Sequence, residues 1–311
     1  MKAIVLNGPG GVDKLEYRDL PIPEIAAGEV LVKVKAISIN PVDVKVREGY
    51  GVYAAVKNAN PIILGWDISG VVTESKSDLF KAGDEVLGMV NFPGHGKGYA
   101  EYVAPPAVQL ALKPANFSFE TAAATTLVAL TAWQALVTNG KVQKGQRVLI
   151  HAGAGGVGHI AIQLAKHLGA TVTATSSAVN KDFVLSLGVD RHIDYNGYNW
   201  SGQQPEYDFV LDTVGGDNVA NSIAITKAGG AVVSIPSGIS EALVSYAKEK
   251  GVHAQFMLVQ SNGADMQQIA GLLQQGIFRP HIAHVFSFEQ MREAHLQIAT
   301  GKTVGKVVVI V

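Results

Sequence analysis

Cysteine is absent from this chain of 311 residues. That excludes disulfides, a thiolate nucleophile and any Cys-ligated metal, and it is compatible with a reducing cytosol, where the protein is expected. Charge is also scarce. Only 16% of residues are Asp, Glu, Lys or Arg and the formal net charge is −1, so no broad attraction to nucleic acid or to an anionic membrane is expected. Thr121 to Gly140 carries no charge and is long enough to be misread as a membrane span. Its threonines, Gln134 and Asn139 point instead to a buried helical segment. Met1 to Leu6 reads as a strand and lacks the length and cleavage site of a signal peptide. No internal repeat and no low-complexity tract is present.

Apolar residues make up 48% of the chain, which suits an α/β protein with buried parallel strands, and the length predicts two domains. The centre of the pattern is Arg147 to Gly169. A short apolar run, Val148 to Ile150, reads as a buried strand. Gly153, Gly155 and Gly158 then form G-x-G-x-x-G, and a helical run ends at Gly169, a natural left-handed terminus. In such a motif Gly153 permits the tight turn, Gly155 lets backbone approach a pyrophosphate, and Gly158 lets helix pack on strand. The first N–H groups of the helix lack intrahelical acceptors and face the phosphates. A dinucleotide site is expected here.

Residues 1 to about 118 are dense in strand signals, notably Val30 to Ile37, Gly70 to Glu74, Glu85 to Val90 and Tyr99 to Val103, with Gly83-Asp84 as a turn. Ser118 is a candidate N-cap for a helix from Phe119 to Val137. After the glycine motif, strands at Thr171 to Thr175, His192 to Asp194, Phe209 to Asp212, Ala231 to Ile235 and His253 to Val259 alternate with helices. Asp265 to Gln275 is expected to be the last helix of that series. This predicts a doubly wound parallel sheet with right-handed crossovers. Ser287 to Gln290 has capping-box spacing, and Lys306 to Val311 is a terminal strand expected to return to the first domain. The expected domains are 1–118 with 278–311, and 119–277. His253 to Val259, apolar and free of proline, is an edge that invites pairing, so a two-fold homodimer through it is expected.

The most specific stretch is Gly145-Gln146-x-x-Leu149-x-x-x-Gly153-Ala154-Gly155-Gly156-x-Gly158-x-x-x-x-Gln163-x-x-Lys166. Beside it stand Asn40-Pro41-Val42-Asp43-Val44-Lys45, Leu64-Gly65-Trp66-Asp67-Ile68-Ser69-Gly70, Leu130-Thr131-Ala132-Trp133 and Asp212-Thr213-Val214-Gly215-Gly216. Together they resemble the zinc-independent quinone oxidoreductase (zeta-crystallin-like) branch of the medium-chain dehydrogenase/reductase superfamily, over essentially the whole chain. The resemblance implies a Rossmann domain joined to a discontinuous, mainly-β GroES-like domain, with the active site in the cleft between. Zinc members of the superfamily hold metal with a His in a Gly-His-Glu segment. The matching place here is Gly65-Trp66-Asp67, so that ligand is absent. His281 and His284 lie three apart but read as a satisfied surface or interface pair, and no metal site is expected.

Without a metal no alcohol can be held as a zinc alkoxide. The accessible chemistry is hydride donation from the cofactor to an acceptor already polarised by conjugation, a quinone or an α,β-unsaturated carbonyl. The resemblance places Asn40 to Tyr50 at the nicotinamide end and carries Asn40, Asp43 and Lys45 onto catalytic positions. Lys45 is the group to polarise the oxygen or fix the nicotinamide ribose, and Asp43 donates or else anchors the loop. Tyr50 and Tyr53 offer hydroxyls at a spacing that departs from the family's. His95, in the Pro93 to Gly98 turn, is a weaker candidate for touching substrate. For the cofactor the same resemblance implies Thr131, Ala154, Gly156 and Val157, Tyr195, Val214, and the Ser234 to Ser237 segment with Pro236.

NADPH is expected over NADH. No acidic residue occurs between Gly158 and Asp182, where an NAD-binding unit places one for the ribose 2′-hydroxyl. Thr175, Ser176, Ser177, Asn180 and Lys181 offer donors to a 2′-phosphate instead. Two classes of function stay open: an NADPH-dependent quinone or enone reductase, and an NADPH-binding sensor or scaffold with little turnover.

Overall fold

The structure is a computed structural model that describes all 311 residues. It contains two compact units, Met1–Leu130 with Val259–Val311, and Thr131–Leu258.

In the second unit six strands lie in the order Arg191–Asp194, Thr171–Ser176, Arg147–Ile150, Tyr207–Asp212, Thr226–Ser234, His253–Phe256. Every neighbouring pair is parallel. The central strands have apolar residues on both faces, as a sheet covered on both sides requires: Val148, Leu149 and Ile150, and Phe209, Val210 and Leu211, are all buried. The chain starts in the middle, runs outward to one edge, then returns and runs to the other. The reversal falls between Arg147–Ile150 and Tyr207–Asp212, which makes the carboxyl ends of those two strands the switch point where ligands bind in such sheets. Gly169, at φ +81°, ends the helix Gly156–His167 in the left-handed conformation that glycine adopts without penalty.

The first unit is mainly β. Its seven-stranded sheet is built on Val30–Ile39, which pairs antiparallel with Asp67–Ser75, Tyr102–Val103 and the C-terminal strand Lys306–Ile310. The return of the C-terminus is therefore observed. It adds a parallel pair, Ile282–Ser287 with Lys306–Ile310, joined by the helix Met291–Ala299. The Ser287 N–H donates to Gln290 Oε1 at 3.0 Å, completing the expected capping box. Ser118 caps Phe119–Trp133, accepting the Thr121 N–H at 3.2 Å, and a π-helical turn, Gln134–Asn139, continues it. Phe119–Asn139 is the one helical stretch long and apolar enough to cross a membrane, and 78% of its apolar window is buried inside the protein.

Two expectations need correction. Helix Gly263–Gln274, read as the last helix of the parallel-sheet domain, packs on the Ala107–Gln109 turn and the Ala111–Leu112 strand of the first unit. A Cβ on Gly263 would meet Val108 O at 2.3 Å, so the absence of a side chain sets that approach. The unit boundaries accordingly fall at 130/131 and 258/259 rather than 118/119 and 277/278. The edge strand is His253–Phe256, shorter than expected, because the apolar residues beyond it, Met257 and Val259, turn inward and are buried.

Candidate functional site

The glycine loop sits at the switch point of the parallel sheet. Its three glycines serve unequal ends. A Cβ on Gly158 would lie 2.2 Å from Ala152 O, and one on Gly153 would lie 2.9 Å from Ala174 Cβ and 3.0 Å from Ile162 Cδ1. Both glycines are therefore required by the protein's own packing. The positive φ in this turn belongs to Ala152 (φ 47°), not to Gly153, which corrects the assignment of the tight turn. Gly155 differs: it is the extended N-cap of helix Gly156–His167 (φ −77°, ψ 177°), and its Cβ would meet only Ala152 O, at 3.2 Å. Gly155, Gly156 and Val157 are half-buried, Ala154 and Gly158 buried. The Gly155 N–H donates to Ala152 O at 2.9 Å, and the amides that follow it, at the start of a twelve-residue helix, are donors of the kind a pyrophosphate requires.

A buried network, missed in the sequence, fixes this loop. His151 Nδ1 lies 3.3 Å from Thr175 Oγ1 and its Nε2 lies 3.3 Å from Ser222 Oγ, which donates to Asp212 Oδ2 at 3.0 Å. Asp212 Oδ1 accepts the Val214 and Gly215 N–H groups at 2.9 and 2.8 Å. Burial pushes His151 down to about 4, with the Asp212 charge opposing, so the ring is neutral at pH 7. The Ser-His-Asp trio is not a hydrolase site: Ser222 is fully buried and its hydroxyl is used on Asp212.

At the end of Thr171–Ser176 the expected hydroxyls divide. Thr175 Oγ1 accepts the Ala152 N–H at 3.1 Å, and Ser176 Oγ donates to Ser177 O at 3.0 Å and lies 2.8 Å from His192 Nε2. Both residues are buried, whereas Ser177 is half-buried and Lys181 exposed. Half-buried Asn180 stands beside Ser177 and Lys181, its Nδ2 donating to Ser177 Oγ at 3.3 Å. Tyr195 and Val214 are exposed at the carboxyl ends of their strands, and the Tyr195 N–H donates to Ser176 O at 3.2 Å. Ser234 is buried with its Oγ lacking any hydrogen-bond partner. Thr131 is buried, and Pro236, which follows the Ser234 strand, is half-buried. Ser234, Tyr195, Val214 and the glycine loop share one end of one sheet.

In the first unit the candidates separate by burial. Asn40 precedes helix Pro41–Arg47, and Asp43 Oδ2 accepts the Asn40 N–H at 2.8 Å. Asn40 Nδ2 donates to Asp67 Oδ2 at 2.7 Å, Lys306 Nζ donates to Asn40 Oδ1 and, at 3.1 Å, to Ile39 O, and Asp67 Oδ1 accepts the Leu127 N–H at 2.8 Å. All four polar side chains are buried. Asn40 therefore has both ends of its amide engaged inside the protein, where it holds the helix start. Asp43 likewise anchors rather than reaches out. Burial pushes Asp43 up to about 7, against the Asn40 N–H that lowers it, while its Oδ1 has no hydrogen-bond partner. Burial also pushes Asp67 up and Lys306 down, and their mutual attraction opposes both shifts. Behind Asp43, the Tyr99 hydroxyl lies 3.0 Å from His295 Nε2, and Arg47 lies 3.4 Å from His295 Nδ1. Lys45 and Tyr50 are exposed, Tyr50 at 69%, and Tyr53 is half-buried.

His95 is not a free ring: its Nε2 accepts the Ile63 N–H at 3.0 Å, and burial, then the Lys97 charge, push it down to about 4. Trp66 is a core residue whose Nε1 donates to Gly94 O at 2.7 Å. No group of three or more His, Asp or Glu side chains is gathered as a metal ion requires.

Family profiles match in two stretches: residues 26–115 match "Alcohol dehydrogenase GroES-like domain" and residues 187–309 match "Zinc-binding dehydrogenase". The chain is 35% identical to the chloroplastic NADPH-dependent alkenal/one oxidoreductase of Arabidopsis thaliana, over 99% of this chain and 79% of that protein. Among solved structures, the quinone oxidoreductase of Coxiella burnetii is 39% identical with a TM-score of 0.93, covering 100% of this chain and 99% of its own. The Escherichia coli quinone oxidoreductase complexed with NADPH is 25% identical with a TM-score of 0.88, covering all of both chains.

Proposed function

The chain belongs to the zinc-independent quinone oxidoreductase branch of the medium-chain dehydrogenase/reductase superfamily, and on that premise we propose that it is an NADPH-dependent reductase of quinones or α,β-unsaturated carbonyls. The observation that carries the reading is the glycine loop at the switch point, where half-buried Gly155, Gly156 and Val157 open a twelve-residue helix and packing constrains Gly155 less tightly, at 3.2 Å from Ala152 O, than Gly153 or Gly158.

The residues fit a dinucleotide. The amides of Gly156 and Val157 would take the pyrophosphate beside Gly155, whose own N–H donates to Ala152 O at 2.9 Å, and Ser177 and Lys181 the 2′-phosphate, with Ala154, Tyr195 and Val214 beside them. The orphaned Ser234 hydroxyl, with Thr131 and Pro236, would face the nicotinamide end. When bound, NADPH supplies the hydride. Lys45 and Tyr50 are the exposed donors of the Asn40 to Tyr50 stretch, and their task is to stabilise negative charge developing on the acceptor oxygen. One well-placed donor of that kind lowers a barrier by about 3 kcal/mol. Asn40 and Asp43 serve by holding the helix that carries Lys45. In solution the protein is proposed to be a cytoplasmic two-fold dimer joined through the exposed edge His253–Phe256, a state that sedimentation at micromolar concentration tests.

A steady-state panel of quinones, enals and enones, with NADPH loss measured against product, tests the function. Stoichiometric turnover of at least one class is expected. NADPH binding without turnover of any would leave the sensor reading in its place.

A further inference from the structure

We propose that Lys306, on the last strand of the chain, is a positioning residue for hydride transfer: through Asn40 and Asp67 it fixes the start of the helix that carries Lys45. The link to turnover rests on the reductase reading above; the lock itself rests on geometry within one unit.

Four segments meet at the residue before Pro41. Lys306, 2% exposed, reaches Asn40 Oδ1 and Ile39 O and lies 3.9 Å from Asp67 Oδ2. Asp67, on the strand paired with Val30–Ile39, holds the other end of the Asn40 amide and is itself held by the Leu127 N–H. The Asn40 backbone N–H is then taken by Asp43, one turn into the helix. Stability alone does not call for such a set. A buried ion pair contributes little net, and apolar residues of similar volume often replace one without loss. What apolar residues cannot do is orient an amide. With both ends of Asn40 defined, the direction of helix Pro41–Arg47 is defined too, and with it the placement of Lys45 five residues on. Misplacement by about 1 Å at a reacting centre can cost on the order of a hundredfold in rate, so a lock of this kind acts on turnover more than on folding.

The test compares wild type with the double variant Lys306→Met/Asp67→Asn. That variant removes the Lys306 and Asp67 charges together, and the carboxamide oxygen replacing Asp67 Oδ2 can still accept from the Asn40 side chain, with its NH2 then facing the Leu127 N–H that Oδ1 accepts in the wild type. Lys306→Gln/Asp67→Asn, keeping a donor for Asn40 while removing the same two charges, gives an intermediate case and a second variant. Direct titration of NADPH is expected to change by less than about twofold while kcat falls on the order of ten- to a hundredfold. Amide hydrogen exchange in Asp43 to Glu48 is expected to accelerate by at least about tenfold, with exchange in the parallel sheet unchanged. Wild-type kcat in the folded double variant overturns the proposal, and so does unaltered exchange in that helix. If the wild type itself reduces no acceptor, the reductase reading fails, and the exchange measurement alone decides whether the lock exists.

Discussion

In the parallel-sheet unit the groups offered to a ligand are mostly backbone amides, half-exposed at the start of a helix, with the Ser234 hydroxyl left unpartnered. In the mainly-β unit the side chains that a motif reading offers to substrate, Asn40 and Asp43, are already bonded within the protein and fully desolvated. The first arrangement binds by leaving donors open. The second works by closing them, so that the exposed Lys45 stands on a defined support. Candidate residues can thus be ligand contacts in one place and scaffolding in another, according to which of their hydrogen-bonding groups the protein has already taken.

The comparison breaks most sharply at Asp67. Asp67→Ala leaves Lys306 buried without its carboxylate, a change that costs about 3–5 kcal/mol, and chemical denaturation is expected to show a loss of that order. A loss near zero would mean the cluster is solvated and not a lock. The glycines come next. Gly158→Ala forces a methyl against Ala152 O and is expected to destabilise by about 1–3 kcal/mol or more. Gly155→Ala, whose methyl would lie 3.2 Å from Ala152 O, should cost less, within about 1 kcal/mol, yet weaken NADPH binding by obstructing the ligand's approach. Equal behaviour of the two variants in both assays would remove the distinction between packing and binding glycines.

How far this was legible follows from the same contrast. A glycine motif is local: strand, turn and helix are contiguous from Arg147 to Gly169, so the cradle could be read without a fold. The doubly wound sheet was legible for a similar reason, since buried parallel strands are short apolar runs in regular alternation. The Asn40 cluster was not. Its partner Lys306 lies 266 residues away and reads in sequence as an ordinary lysine opening a strand. In sequence Thr175 and Ser176 are equivalent to Ser177; only the fold sets His151 and His192 beside their hydroxyls. The place of helix Gly263–Gln274 in the first unit is not legible, because an amphipathic face does not say which surface it covers.

Asp43 and His151 are also expected to answer pH with opposite signs. Asp43, raised from 3.8 to about 7, binds its proton more tightly when folded. Its contribution to stability is complete below about pH 4 and is lost as pH rises through 7. His151, lowered from 6.5 to about 4, contributes above about pH 6.5, and that contribution is lost as pH falls through 4. Relative to Asp43→Asn, wild type should lose stability between pH 4 and 7. Relative to His151→Gln, it should gain over pH 4 to 6.5. Each slope approaches about 1.4 kcal/mol per pH unit at most. Denaturation of both pairs across that range checks the signs, and two slopes of one sign would contradict the burial argument. The smallest effect is expected at Ser177. With Thr175 and Ser176 engaged, the preference of kcat/KM for NADPH over NADH rests on Ser177 and Lys181, and Ser177→Asp should lower that ratio by about tenfold or more. An unmoved ratio would place the 2′-phosphate elsewhere.

The most direct test of the whole account follows the hydride. The protein is incubated with an enone and NADPH deuterated at C4 of the nicotinamide, on either face in turn, and the saturated product is analysed by mass spectrometry. Deuterium in the product's β-carbon from one of the two cofactors, in step with NADPH consumed, is the predicted result. Reduced product without deuterium from either, or bound NADPH that is never consumed with enones or quinones, would contradict it.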